Sequence, residues 1–242
     1  MIDAEVLEKI CDHQCAEPGK LYIVATPLGN LADLTLRAIR ILETCDCIAC
    51  ETPNVTQRLL SVLGIGKKCL FTYRDAGEAK SAQHLCERLQ QGQSVALVSD
   101  AGTPTISDPG YRLVKLCRDA SIDVVPIPGA SATITALSAS GFPCHQFLFL
   151  GFLPIKHGAK EKVLKAHQGF EGTLIIYESP YRIRKLLDTL KDVYGENRRV
   201  CIARELTKLN ESFYQGPLRT LAPNTCPERG EYVILVAPEE VD

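Results

Sequence analysis

Asp100 and Asp108 lie in a stretch that also carries the hydroxyls of Ser99, Thr103 and Ser107 and the bends of Gly102, Pro104, Pro109 and Gly110. Residues 97–110 read LVSDAGTPTISDPG in full. Carboxylates with no lysine or arginine beside them suit a cationic ligand group such as an ammonium or a sulfonium. Glycine allows close approach to the backbone, where exposed N–H and C=O groups can read an adenine edge or an amino-acid carboxylate. Asp108 has a second reading, as the N-cap of a helix over 110–119 with Pro109 in its first turn.

Three further turns have the same character: Thr26–Asn30, Pro126–Ser131 and Gly151–Pro154. Each follows an apolar run, so each lies where open α/β sheets place their ligands, at a strand's carboxyl end. A second charged group, Arg204-Glu205-Leu206-Thr207-Lys208 with Glu211, Arg229 and Glu231, reads either as a solvated salt-bridge face or as a phosphate-contacting, substrate-orienting edge. Tyr177-Glu178-Ser179 ends another strand.

Other chemistries find little support. There is no GxxxxGK[ST], HExxH or GxSxG, and Gly64-Ile65-Gly66 lacks the third glycine and the preceding strand of a dinucleotide site. The five histidines are scattered. Cys47 and Cys50 form a CxxC with no second pair, and in a strand they point to opposite faces, so no metal site is expected. Most of the eleven cysteines sit in apolar segments and read as small core residues. Cys11 and Cys15 share a helix face but lack further ligands.

Hydrophobic periodicity supplies the elements that must position these turns. Strands are predicted at 21–25, 45–50, 69–72, 94–98 and 122–127, separated by helices at 35–42, 56–63, 79–89 and 110–119. A small-residue helix follows Pro128-Gly129. Beyond Gly141-Phe142-Pro143, strands are expected at 147–150, 173–177, 199–204, 212–214 and 232–237. Helices are expected at 159–167 and after Ser179-Pro180. The alternation predicts an α/β fold of two domains with a ligand cleft between them, the first more parallel and the second mixed. The expected parts are an N-terminal arm over 1–18, an N-terminal α/β domain over 19–142 and a C-terminal α/β domain over 143–242.

The 242 residues carry a formal charge of −2, which argues against wholesale electrostatic capture of nucleic acid but leaves room for a local basic face. No apolar run is long enough to span a bilayer, and the acidic start lacks a secretory pattern. The expected location is cytoplasmic, with no membrane association.

The run LYIVATPLGNLAD at 21–33 resembles the opening motif of the bacterial 16S ribosomal RNA 2'-O-ribose cytidine methyltransferases, the small-subunit methyltransferase I group of the tetrapyrrole methylase superfamily. The 99–110 loop, PIPG at 126–129, GFLP at 151–154, YES at 177–179, RELTK at 204–208 and RGE at 229–231 match in order. The resemblance implies a tetrapyrrole methylase-like fold, a homodimer, and S-adenosyl-L-methionine as methyl donor. It places the cofactor on Pro27, Asp100, Ala101, Gly102, Thr103, Pro104, Ser131, Ala132, Phe152 and Leu153. It implies 16S rRNA, or the small ribosomal subunit, as the partner that accepts the methyl. Glu51 is then the substrate-orienting group or the base, and Arg204, Glu205 and Lys208 orient the target nucleotide. The sulfonium is already an activated donor, so the enzyme mainly aligns a hydroxyl and assists its proton loss without a metal.

One stretch departs from the pattern. Close relatives read Glu-Asp-Thr-Arg where this chain has Glu51-Thr52-Pro53-Asn54, so the basic group must come from elsewhere, with Arg58, Arg74 and Lys156 as candidates. Two alternatives follow. One is a methylase of the same fold acting on a tetrapyrrole or another small molecule. The other is a non-catalytic protein that binds cofactor or ribosome.

Overall fold

The computed structural model describes residues 14–221 and 227–239. Most of the predicted arm, with Cys11 and His13, lies outside the described residues. Residues 14–18 are irregular; the Ala16 amide donates to the Thr44 hydroxyl at 2.8 Å and the Glu17 amide to the Tyr22 hydroxyl at 2.8 Å.

The chain divides into two compact units, Met1–Ser131 and Ala132–Asp242. The first is built from β1 (Leu21–Val24), α1 (Leu36–Thr44), β2 (Cys47–Cys50), α2 (Pro53–Val62), β3 (Cys69–Thr72), α3 (Glu78–Gln90), β4 (Val95–Val98), α4 (Tyr111–Asp119) and β5 (Val124–Ile127). Its five strands are all parallel, in the order β3-β2-β4-β1-β5. A parallel sheet covered on both faces needs strands that are apolar throughout. CIAC in β2 and VALV in β4 are accordingly buried at every position.

The two faces separate by the period-two rule of strands. Ile48, Cys50, Ala96 and Val98 pack with Ala38, Ile41 and Leu42 of α1 and Leu60 of α2. Cys47, Ala49, Val95 and Leu97 pack with Ala82, Leu85 and Leu89 of α3 and with Leu113 and Cys117 of α4. Cys47 and Cys50 therefore do lie on opposite faces. Burial pushes the Cys45 and Cys117 thiols up to about 12, and it also raises Cys47 and Cys50. These are core side chains.

The second unit contains α5 (Ala132–Ala139), β6 (Phe147–Phe152), α6 (His157–Ala166), β7 (Thr173–Glu178), α7 (Ile183–Tyr194), β8 (Arg199–Arg204), β9 (Ser212–Pro217) and β10 (Tyr232–Val236). The sheet order is β6-β7-β10-β8-β9, with only the β6–β7 pair parallel. Its main core joins Leu174, Ile176, Val200, Ile202, Ile234 and Val236 to the apolar stripe of α7, namely Ile183, Leu186, Leu187, Leu190 and Val193. The division falls before α5, earlier than the Gly141–Pro143 turn, because α5 packs on β10 and so belongs to the second sheet.

Two expected caps differ. The helix after the long loop starts at Tyr111 with Gly110 as its N-cap, and no side chain caps it, so Asp108 does not serve as the cap. The helix after β7 starts at Ile183 behind Arg182, which leaves Ser179-Pro180-Tyr181 as a turn.

Candidate active site

All five strands of the first sheet run the same way, so their carboxyl ends lie along one edge. That edge carries the turns after β1, β2, β3, β4 and β5. Of the residues expected at the cofactor, Pro27, Asp100, Ala101, Gly102, Thr103, Pro104 and Ser131 stand on it. Glu51 follows β2 on the same edge.

Backbone pairing continues past the strands. Thr26 and Gly102 exchange N–H···O bonds of 2.9 and 3.0 Å, an isolated bridge that locks the β1 turn to the β4 loop. The Thr26 hydroxyl donates to the Ser99 carbonyl at 3.0 Å, and the Thr103 hydroxyl donates to the Ala130 carbonyl at 2.9 Å. A side chain at Gly129 would run into the Ala25 Cβ at 2.8 Å, so only glycine lets the β5 turn lie this close to β1. The three turns form one bonded ledge.

The loop after β4 stores strain. Thr105 and Ser107 have φ of 75° and 65°, left-handed values that cost a non-glycine residue about 1 kcal/mol each. The loop is held at both ends. At its start the Ser99 hydroxyl donates to the Ala101 and Gly102 carbonyls at 3.2 and 3.3 Å. At its end Gly110, with φ of 145°, leaves no room for a Cβ, which would lie 2.6 Å from the Thr105 Cγ2 and 2.9 Å from the Leu97 Cδ2. Glu78 supplies the remaining anchor: its Oε1 accepts the Tyr73 hydroxyl at 3.0 Å and the Gly110 amide at 3.3 Å, while Arg112 pairs with Oε2 at 2.9 Å. Sequence reading missed Glu78, since it lies outside every turn motif and only the register of β3 and α3 brings it to the loop.

The edge is acidic. Burial, with Asp100 and Asp75 nearby, raises the pKa of Glu51 against the opposing pull of Arg74. Asp108 is half-buried, and burial followed by Glu51, Asp100 and Asp75 pushes it up to about 6 in spite of the Ser99 hydroxyl. Carboxylates crowded in this way favour a cation, and the raised value brings Asp108 toward proton acceptance near neutrality. Among the described residues no group of three or more His, Cys, Asp or Glu is set to hold a metal.

The departure at Thr52-Pro53-Asn54 is absorbed locally. Pro53 occupies the first turn of α2, where its missing N–H costs nothing. Arg74 donates from Nε to the Glu51 carbonyl at 2.7 Å, so a guanidinium does stand beside the glutamate, supplied by the turn after β3.

The remaining expected residues belong to the second unit. Phe152 ends β6 as an exposed residue, its ring edge-on to that of Tyr177 with the centroids 5.8 Å apart. The Leu153 side chain is buried in the apolar core, so any ligand contact from it would be through backbone. Ala132 begins α5, and the next residue, Thr133, bonds the Tyr177 hydroxyl through its amide (3.1 Å) and its hydroxyl (2.8 Å).

Arg204, Glu205 and Lys208 fold into a closed knot. Lys208 Nζ bonds Glu205 Oε1 at 3.0 Å and Glu231 Oε2 at 2.8 Å, and the Glu231 amide donates to Glu205 Oε1 at 3.0 Å. Arg204 Nε donates to the Arg229 carbonyl at 3.0 Å. Glu205 and Thr207 are left-handed, with φ of 52° and 65°, and Gly230 is forced by the Glu205 side chain, which a Cβ would meet at 2.8 Å. Burial alone would raise Glu205, yet Lys208 and the Glu231 amide hold its pKa below the ordinary value. Lys208 is already neutralised by two carboxylates, so this segment is first a brace between the β8–β9 turn and the start of β10.

The family profile described as Tetrapyrrole (Corrin/Porphyrin) Methylases matches residues 20–222. The chain belongs to the tetrapyrrole methylase family. Curated relatives within reach of this methylase include proteins named Ribosomal RNA small subunit methyltransferase I. The one from Escherichia coli O157:H7 is 46% identical over 230 residues, covering 93% of this chain and 80% of the relative. The one from Mesorhizobium japonicum is 47% identical over 227 residues, covering 93% and 76%. Among solved structures, the methyltransferase CobJ superposes on the methylase with a TM-score of 0.68 at 21% identity, covering 93% of this chain and 97% of its own. Uroporphyrin-III C-methyl transferase from Thermus thermophilus, complexed with S-adenyl homocysteine, gives 0.64 at 16% identity, covering 90% and 97%. These structural likenesses establish the fold.

Proposed function

We propose that this methylase transfers the methyl of S-adenosyl-L-methionine to the 2'-hydroxyl of a cytidine ribose in 16S rRNA. The observation that carries the reading is the 46% identity, over nearly the whole chain, to a relative named for the small-subunit ribosomal RNA. The solved tetrapyrrole-type neighbours favour a small-molecule acceptor as the second reading, but at 21% identity or less they support fold and not substrate.

The carboxyl edge of the first sheet fits the cofactor on its own chemistry. Asp100, Glu51 and Asp108 favour a ligand bearing ammonium and sulfonium charge, on a ledge that the Thr26–Gly102 bridge holds in place. Pro27, Asp100–Pro104 and Ser131 would hold it there. When bound, the cofactor supplies an activated methyl group for in-line transfer to oxygen.

This chain's own part is to align and deprotonate the hydroxyl. Glu51, raised by burial and by Asp100, orients the ribose hydroxyl or takes its proton. Asp108 is a second proton acceptor of suitable strength. Arg204, Glu205 and Lys208 hold the nucleotide through the shape of their brace and the exposed flank of Arg204. We further propose a homodimer working in the cytoplasm. No helix among the described residues is long and apolar enough to cross a membrane.

Incubation with labelled cofactor and, in parallel, 30S subunits, naked 16S rRNA and uroporphyrinogen III tests the reading. Label in either RNA substrate supports it. Label only in the tetrapyrrole favours the second reading, and label in none favours a binding protein without activity.

A further inference from the structure

The charge arrangement at the end of β7 belongs to neither the acidic edge nor the Lys208 brace. Glu178 is 2% exposed; its Oε1 accepts the Ser179 amide at 2.8 Å and the Arg182 guanidinium at 2.5 Å, while Oε2 has no hydrogen-bond partner. Lys160 on α6 is 4% exposed, a burial that lysine rarely accepts unless paired. Among the described residues no hydrogen bond or ion pair holds its ammonium. Burial lowers its pKa, Glu178 raises it, and Arg182 and Lys185 lower it further. Lys185 is exposed on the first turns of α7 and likewise makes no ion pair among the described residues. Arg182 and Lys160 thus share a single carboxylate, and Lys185 adds a further charge near Lys160, an excess of positive charge that an anion would relieve.

The same residues set the turn beside them. Arg182, clamped by Glu178, donates its amide to the Ser179 carbonyl at 3.1 Å, and the bend this closes pushes Tyr181 outward to 81% exposure. No other aromatic ring of the described residues stacks on it. An outward aromatic ring beside an exposed, unpaired cation is an arrangement by which proteins take single-stranded nucleic acid, with a base on the ring and its phosphate on the cation.

We propose that Tyr181 is a stacking platform for an unpaired base of the RNA substrate, and that the exposed Lys185 holds the adjoining phosphate. The proposal rests on the RNA reading above and adds where the strand is gripped. The Glu178–Arg182 clamp positions the platform without touching the ligand.

Binding of a fluorescein-labelled single-stranded 16S rRNA fragment, measured as a function of salt, tests it. Tyr181→Ala weakens binding by about 5- to 100-fold, whereas Tyr181→Phe keeps the π-face and binds like the wild type. Lys185→Gln lowers the slope of log K against log salt by about 0.7, as expected for one phosphate of a single strand. Thermal unfolding and cofactor affinity of these surface variants stay at wild-type values, which separates a lost contact from a lost fold. Wild-type affinity and slope in both Tyr181→Ala and Lys185→Gln overturn the platform and leave the RNA reading intact. A wild-type protein that neither binds nor methylates RNA overturns both.

Discussion

The Asp100 carboxylate accepts the Thr52 amide across 3.1 Å, so the residue best placed to meet a cationic ligand also fixes the turn that carries Glu51. The proposed binding and catalytic groups after β4 and β2 are therefore set by one hydrogen bond. Asp100→Asn keeps an acceptor oxygen for Thr52 and removes only the charge. It is expected to unfold at nearly the wild-type temperature while binding S-adenosyl-L-methionine about tenfold more weakly, about 1.4 kcal/mol. Asp100→Ala also loses the bond and about 1 kcal/mol of stability. Calorimetric titration and thermal scans separate the two effects.

Asp108 should make stability depend on pH. Its folded value, about 6, lies above the value near 4 of an unfolded aspartate. The folded state thus holds its proton more tightly, and the advantage is complete below about pH 4 and lost as pH rises through about 6. Asp108→Asn removes this dependence, so the variant gains stability relative to the wild type above pH 6 and loses that gain toward pH 4. Denaturant unfolding at a series of pH values reads the crossover.

Gly110 and Glu78 hold the strained loop from its far end. Gly110→Ala adds a methyl where Thr105 and Leu97 already stand and forces a left-handed φ on alanine, at an expected cost of about 2–3 kcal/mol. Glu78→Ala frees the Gly110 amide, the Tyr73 hydroxyl and Arg112 together. Loss of cofactor affinity in Glu78→Ala, with partial rescue in Glu78→Gln, would mark Glu78 as a positioning residue for the loop. Equal affinity in both would confine it to stability.

Lys208→Ala leaves Glu205 and Glu231 facing each other without a cation, at an expected cost of about 1–2 kcal/mol near neutral pH. The sign with pH is opposite to that of Asp108. Glu205 is held below its ordinary value, so its contribution is present above about pH 4 and lost as pH falls further. The wild-type advantage over Lys208→Ala should shrink in acid, and unfolding curves at pH 3.5 and 7 check it.

Much of this was legible in the sequence because the signals were local. The alternation of apolar runs and helical stripes located β3 and β8 to the residue, and the turns after β1, β4 and β5 were recognisable as turns at the carboxyl ends of strands. Two kinds of information were not local. Asp108 precedes a helix and has a capping side chain, so its sequence context fits a cap. Only the positive φ of Gly110 shows that the helix starts later and frees the carboxylate to join the acidic edge. Glu78 and the cations around Glu178 depend on neighbours far apart in the chain, and no spacing rule brings Lys160 to Arg182. The Arg204–Lys208 motif was visible, but its closure on Glu231 was not.

The proposed reaction is transfer of a methyl group to a cytidine 2'-oxygen. The most direct measurement is digestion of 16S rRNA to nucleosides after reaction with labelled cofactor, followed by chromatography. Label is expected in 2'-O-methylcytidine, reduced in a Glu51→Gln variant that still binds cofactor. Label in a base-methylated nucleoside, or none in RNA while uroporphyrinogen III becomes labelled, would contradict it.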